Sequence, residues 1–158
     1  MVTEKNARNG VSYTVGLNKF SDLTDNEFER YLGDSGEAED YSLHENNTQG
    51  PLMQADVQPI DWRTKGVVGP VKDQGHCGSC WSFSTAGPIE EHYAIKYGKQ
   101  VVLAEQQLVD CSWPYGNNGC NGGLFANGYA YVKQYGLMLN SSYPYTANDS
   151  SSCQYDST

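Results

Sequence analysis

The residues best suited to chemistry lie in one stretch, QGHCGSCWSFS, from Gln74 to Ser84. A cysteine thiol is mostly protonated at neutral pH, and only the thiolate attacks a carbonyl carbon. Cys80 stands where a glycine-rich turn gives way to a helical pattern, and a helix amino terminus stabilises an anion through its dipole and free N–H groups. Cys80 is therefore a candidate nucleophile. The backbone N–H of Cys80 and the side-chain amide of Gln74, six residues earlier, can converge on the oxyanion of a tetrahedral intermediate. Together they outline an acyl-transfer site. Other chemistries compete for the same residues: Cys77 and Cys80 also spell a redox C-x-x-C, half of a zinc site, or a disulfide partner beside a buried thiol. No second C-x-x-C completes a zinc site, and Cys111 and Cys120 are too widely spaced to supply one. The redox motif lacks a preceding βαβ pattern. Glu90 and Glu91 are helix neighbours about 100° apart and read as a solvated face, and His44, His76 and His92 read as surface residues.

These side chains need elements to hold them. Apolar residues recur at Trp81, Phe83, Ala86, Ile89, Tyr93 and Ile95, which predicts a long helix from Ser79 or Cys80 to a stop at Gly98. Pro88 lies inside it, removes the hydrogen bond to the Ser84 carbonyl, and predicts a kink or loosened ladder over 84–88. A short helix is expected over Glu105–Asp110, and another over Leu124–Tyr135 with Leu124, Gly128, Tyr131, Val132 and Tyr135 on one face. Tyr143-Pro144-Tyr145 reads as loop or edge strand. Upstream, Thr24-Asp25-Asn26-Glu27 fits a capping box and predicts a helix from Asp25 to Leu32, closed by Gly33. Between Gly33 and Pro59 the sequence is polar and acidic without apolar period, as in a connector.

Composition bounds the rest. The 158 residues are the length of one domain, 38% are hydrophobic, and 17 glycines are added to these, so a core can form. A net charge of −9 argues against nucleic acid and anionic membrane surfaces as partners. Counted from the sequence, residues 1–58 carry 11 acids and 4 bases and residues 59–158 carry 8 acids and 6 bases, so the chain reads as two parts. No run approaches the roughly 18 apolar residues of a membrane span, and the start, MVTEKNARNG, lacks the pattern of a signal peptide. Five cysteines nevertheless point to an oxidising compartment.

The stretch Cys77-Gly78-Ser79-Cys80-Trp81 resembles the papain family of cysteine proteases, whose local signature C-G-[SA]-C-[WY] it matches throughout. PIDWRTKGVVGPVKDQG resembles the start of a mature enzyme of that family, and LAEQQLVDC and GCNGGL resemble its cathepsin L and cathepsin H subgroups. GLNKFSDLTDNEFERYLG resembles the end of the family's inhibitory propeptide, with a G-x-N-x-F-x-D motif at Gly16, Asn18, Phe20 and Asp22. The resemblance implies an α+β, papain-like two-domain protease fold, of which this chain holds the mainly helical left domain preceded by the end of the propeptide. Residues 1–57 would be the C-terminal part of the propeptide plus linker, and residues 58–158 the N-terminal half of the peptidase domain.

Residue by residue, the resemblance implies Cys80 as nucleophile, Gln74 as oxyanion donor, and Gly78 and Gly123 near the substrate backbone. Leu124 and Phe125 would line the pocket for the second residue before the cut, and disulfides would join Cys77 to Cys120 and Cys111 to Cys153. It further implies peptide or protein substrates, the chain's own propeptide as intramolecular inhibitor, a monomer when complete, no metal or other cofactor, and a lysosomal, vacuolar or secreted location. Asn46, Asn140 and Asn148 open N-x-[ST] sequons, which are glycosylation sites only in a secretory lumen.

The family places its catalytic histidine roughly 130–150 residues after the nucleophile. Only 78 residues follow Cys80 here, and the orienting asparagine and second domain are missing too. His92, twelve residues along the helix, stands about 18 Å from Cys80. The sequence therefore predicts an incomplete, inactive fragment of an endopeptidase. The alternative is a truncated, non-catalytic homologue that works as a protease inhibitor or interaction module. Three further expectations follow. Alanine at 104, where the related pattern has a serine cap, costs its helix about 1 kcal/mol. The helix face that would meet a second domain is exposed, leaving the chain poorly soluble or marginally stable. The acidic upstream part releases from the rest as its carboxylates protonate.

Overall fold

A computed structural model describes residues 2–7, 10, 12–33, 59–149 and 152–155. Among these residues there are five α-helices: α1 (Val2–Asn6), α2 (Asp25–Phe28), α3 (Cys80–Tyr97), α4 (Glu105–Cys111) and α5 (Phe125–Tyr135). Single 3-10 turns lie at Glu29–Tyr31, Trp62–Lys65 and Trp113–Tyr115. Extended pairing among the described residues is confined to two isolated bridges, Gly78 with Asn121 and Leu103 with Leu139. Tyr143–Tyr145 is loop.

The capping box at Thr24 forms: its side chain accepts from the Glu27 N–H, and the Glu27 carboxylate accepts from the Thr24 N–H at 2.8 Å. The helix it starts is shorter than the sequence predicts, because the chain tightens into a 3-10 turn at Glu29 and leaves helical geometry at Leu32.

Helix α3 runs unbroken through Pro88 and stops at Gly98, whose φ of 65° is left-handed. The Ser84 carbonyl, deprived of an N–H by the proline, instead accepts from the Tyr129 hydroxyl of α5 at 3.3 Å. The apolar stripe read from the sequence is only partly the buried one. Trp81 and Ala86 face inward, but Tyr93 and Ile95 are exposed, and the buried side is completed by Ser82, Thr85, Glu90 and Ala94. Small residues there let the helices approach closely. A Cβ at Gly128 of α5 would lie 2.3 Å from Thr85 Oγ1, and Tyr131 enters the core cluster with Trp81, Leu108, Val109 and Cys111.

Helix α4 is buried along its whole length although four of its seven residues are Glu, Gln, Gln and Asp. Burial of polar groups is tolerated only when each is bonded, and here each is. Glu105 accepts from Lys72 Nζ at 2.5 Å, and the same ammonium reaches Glu90 at 2.7 Å. Gln106 donates to Asp110 and accepts from the Thr146 N–H. Gln107 donates to the Tyr131 hydroxyl and accepts from the Met138 N–H. Asp110 accepts from the Tyr143 hydroxyl at 2.7 Å; burial first, and then this carboxylate, push the phenol of Tyr143 up to about 12. Ala104 makes no side-chain cap, so α4 begins on backbone bonds alone.

Burial disfavours the Lys72 charge, but its two carboxylate partners outweigh that and hold the ammonium above its ordinary pKa. Lys72→Met should leave Glu90 and Glu105 unpaired and destabilise the chain by about 3 kcal/mol or more, read as a fall in denaturation midpoint at neutral pH.

Candidate active site

Cys80 is the first residue of α3, and its thiol is unbonded and half-buried. Its position is set by the turn 74–79, which is fastened at several points. Cys77 is bonded to Cys120, and the Gly78 N–H donates to the Cys120 carbonyl at 2.9 Å. The Tyr145 hydroxyl donates to the Gln74 carbonyl at 2.7 Å and lies 2.6 Å from Ser79 Oγ, so one phenol ties both ends of the turn. Tyr145 carried no signal in the sequence beyond a loop, because its role depends on a contact 66 residues away. A second bridge, Cys111–Cys153, fastens the distal loop to α4. Trp81 is buried, with its indole N–H donating to the Gly119 carbonyl at 3.2 Å.

Gln74, Gly78, Cys80 and Gly123 surround one surface, and the upstream segment lies on it. The Gln74 side-chain amide donates to the Tyr31 carbonyl at 2.9 Å, and to the Cys77 carbonyl at 2.8 Å. The Gly123 N–H donates to the Gly33 carbonyl at 3.0 Å. Gly33 crosses Gly78 so closely that a Cβ on Gly33 would fall 2.0 Å from the Gly78 carbonyl oxygen. One on Gly78 would meet the Cys120 oxygen at 2.6 Å. Neither glycine has room for a side chain. A cavity of about 360 Å³ lined by Gln74 joins Cys80 to Val71, Phe83, Gly87 and Glu91. Val71 is fully exposed there at 103%.

Leu124 follows Gly123 and is half-buried, its N–H bonded to Asn117 Oδ1; Phe125 opens α5 and is 45% exposed. Asn140 lies in a turn, its N–H bonded to the Val102 carbonyl, and Asn148 is exposed; Asn46 and His44 lie outside the described residues. His92 bonds the Pro88 carbonyl within α3, and His76 contacts Tyr31. No group of three or more His, Cys, Asp or Glu side chains is placed to hold a metal among the described residues. None of the described helices is long and apolar enough to cross a membrane.

Lys19 Nζ meets Asp73 Oδ2 at 2.5 Å, so the upstream segment contributes the cation of this pair and the turn the carboxylate. The Lys19 hydrogen bond, and then the Gly75 N–H, hold the Asp73 carboxyl below the usual carboxylate range.

The arrangement is a free cysteine at the start of a helix, behind a disulfide-fastened turn that an N-terminal segment crosses. Residues 57–158 match the papain family cysteine proteases and residues 1–28 the cathepsin propeptide inhibitor domain, and the chain belongs to the papain family. It is 49% identical over 152 residues to a cathepsin L-like proteinase of Fasciola hepatica, covering 92% of this chain and 44% of that one. To digestive cysteine proteinase 2 of Homarus americanus it is 44% identical, over 97% of this chain and 47% of the other. Among solved structures, digestive procathepsin L2 from Tenebrio molitor larval midgut superposes with a TM-score of 0.79 at 38% identity, over 98% of this chain and 51% of that one. The chain thus spans about half the length of the relatives it matches. Helices α3, α4 and α5 correspond to the left domain of the papain-like fold, whereas α1 and α2 fall within the residues that match the propeptide domain.

A carboxylate whose pKa is depressed on docking contributes above its ordinary range and loses that contribution as pH falls through the lowered value. The Lys19–Asp73 pair should therefore help to hold the segment at neutral pH and lose that contribution progressively as pH falls below about 4. Asp73→Asn should flatten the acid-dependent part of this release, followed through the Gly123 amide resonance between pH 7 and 3. An unchanged acid profile in the variant would exclude the pair as a contributor.

Proposed function

We propose that this chain is the zymogen-forming region of a cathepsin L-like cysteine endopeptidase, with Cys80 as nucleophile. One observation carries the reading: the Tyr31 and Gly33 carbonyls occupy the Gln74 amide and the Gly123 N–H. In the active enzyme those donors would face a substrate. The Cys80 thiolate would attack the scissile carbonyl carbon, and the oxyanion would be received by the Gln74 amide and the Cys80 N–H. The amine would leave with a proton from an imidazolium, giving a thioester that water hydrolyses to free acid and thiol. Gly78 and Gly123 would hold the substrate backbone, and Leu124 and Phe125 would favour an apolar side chain in the adjoining pocket.

The imidazole is expected from residues beyond those described. His76 is engaged by Tyr31, and His92 lies too far along α3. The 158 residues alone are accordingly proposed to carry a nucleophile without its base. Residues 1–57 act as inhibitory segment and linker, and residues 58–158 as the helical half of the peptidase domain. Peptide or protein substrates, a monomeric complete enzyme, and a lysosomal, vacuolar or secreted location complete the proposal. Two disulfides support the location, because such bridges persist in oxidising compartments. In such a compartment Asn140 and Asn148 would be available for glycosylation.

The test is a peptidyl epoxide applied to the full-length protein before and after acid activation. Labelling should fall on Cys80, increase on activation, and vanish in Cys80→Ser together with peptide hydrolysis. Gln74→Ala in the activated enzyme should lower kcat by about 10²–10³ while Cys80 still labels. Hydrolysis surviving Cys80→Ser would overturn the assignment.

A further inference from the structure

We propose that Tyr31 and His76 form a selectivity latch, a side-chain pair that makes the inhibitory segment grip a protease surface carrying histidine at this rim position. The proposal rests on the reading of residues 12–33 as an occluding segment and adds what that segment recognises. The Tyr31 hydroxyl lies 2.7 Å from His76 Nδ1 and 3.2 Å from Nε2, and the two rings are 5.0 Å apart. On the segment side the phenol is held by neighbours rather than left to rotate. Phe20 meets the Tyr31 ring edge-on at 5.0 Å and the Phe28 ring edge-on at 5.6 Å. The Tyr31 carbonyl oxygen accepts from the Gln74 amide. Tyr31 therefore spends its main chain on the candidate oxyanion donor and its side chain on the imidazole two residues further along the turn.

His76 has the complementary freedom. It lies between Gly75 and Cys77, in a turn whose shape is kept by other groups: Asp73 accepts from the Gly75 N–H, Tyr145 ties Gln74 to Ser79, and Cys77 is bridged to Cys120. Its side chain is exposed and does not make these bonds. The turn can thus change residue 76 without changing shape, while Tyr31, half-buried, loses a hydrogen-bond partner if the imidazole is replaced by an apolar group. Histidine is thus distinguished from an apolar residue at this position by a hydrogen bond in addition to the ring contact.

The experiment uses the full chain at pH 7.5 with two readouts. Exchange of the Gly123 N–H reports opening of its bond to Gly33, and alkylation of Cys80 by N-ethylmaleimide reports access to the thiol. Tyr31→Phe and His76→Ala should each accelerate both by about five- to tenfold, and the double variant by no more than about twofold beyond either single one, as coupled partners require. His76→Gln, whose amide can still bond a phenol, should return both rates toward those of the unaltered chain. Gly33→Ala sets the ceiling, since its methyl group cannot fit beside Gly78. Single variants that change neither rate, or a double variant equal to the product of the singles, would overturn the latch while Gly33→Ala alone still opened the segment. If Gly33→Ala also changed nothing, the occluding segment itself would be refuted, and the latch with it.

Discussion

The bond between Cys77 and Cys120 is the constraint on which the rest of the site depends. It brings the turn before α3 against the glycine-rich loop before α5, and the Gly78–Cys120 backbone bond places the two main chains in register. Once that is done, Cys80 at the start of α3 and the Gly123 N–H belong to one surface. Loop closure of this kind acts mainly by removing conformations from the unfolded chain, which suits a region poor in regular pairing. Among the described residues, the geometry of the candidate site is kept by a covalent tie, one tyrosine and a saturated polar helix, not by a sheet.

The candidate nucleophile and its neighbours can be picked out of the sequence because the pattern that marks them is local. Cys80, Gln74 and Gly78 lie within seven residues, and the turn-to-helix change is written in glycines followed by apolar period. The capping box at Thr24 was legible for the same reason, as a reciprocal bond over three residues. The buried face of α3 was less so. Hydrophobicity pointed to Tyr93 and Ile95, whereas the buried side holds Ser82, Thr85 and Ala94, and at Thr85 the requirement is set by the close approach of Gly128 on α5. Helix α4 shows the limit most clearly: Gln106 and Gln107 look like surface residues and are core residues, because their bonding partners arrive from positions about 30 to 40 residues further on.

The two parts of the chain contribute unequally to the surface they share. The segment presents carbonyl oxygens at Tyr31 and Gly33, while the body presents N–H donors from Gln74 and Gly123. Main-chain recognition of this kind tolerates many sequences; side chains such as Tyr31 and Lys19 narrow the choice. The surface around Val71 and Phe83 stays open and largely apolar, a composition that favours burial.

The crossing of Gly33 over Gly78 also has a hereditary side. At most packed contacts a residue that grows on one partner can be accommodated by one that shrinks on the other. Here both partners already carry the smallest side chain in the genetic code, so an enlarging change at either position has no second-site suppressor at its opposite number. Any line of descent that alters one of these glycines must re-route the main chain or give up the contact.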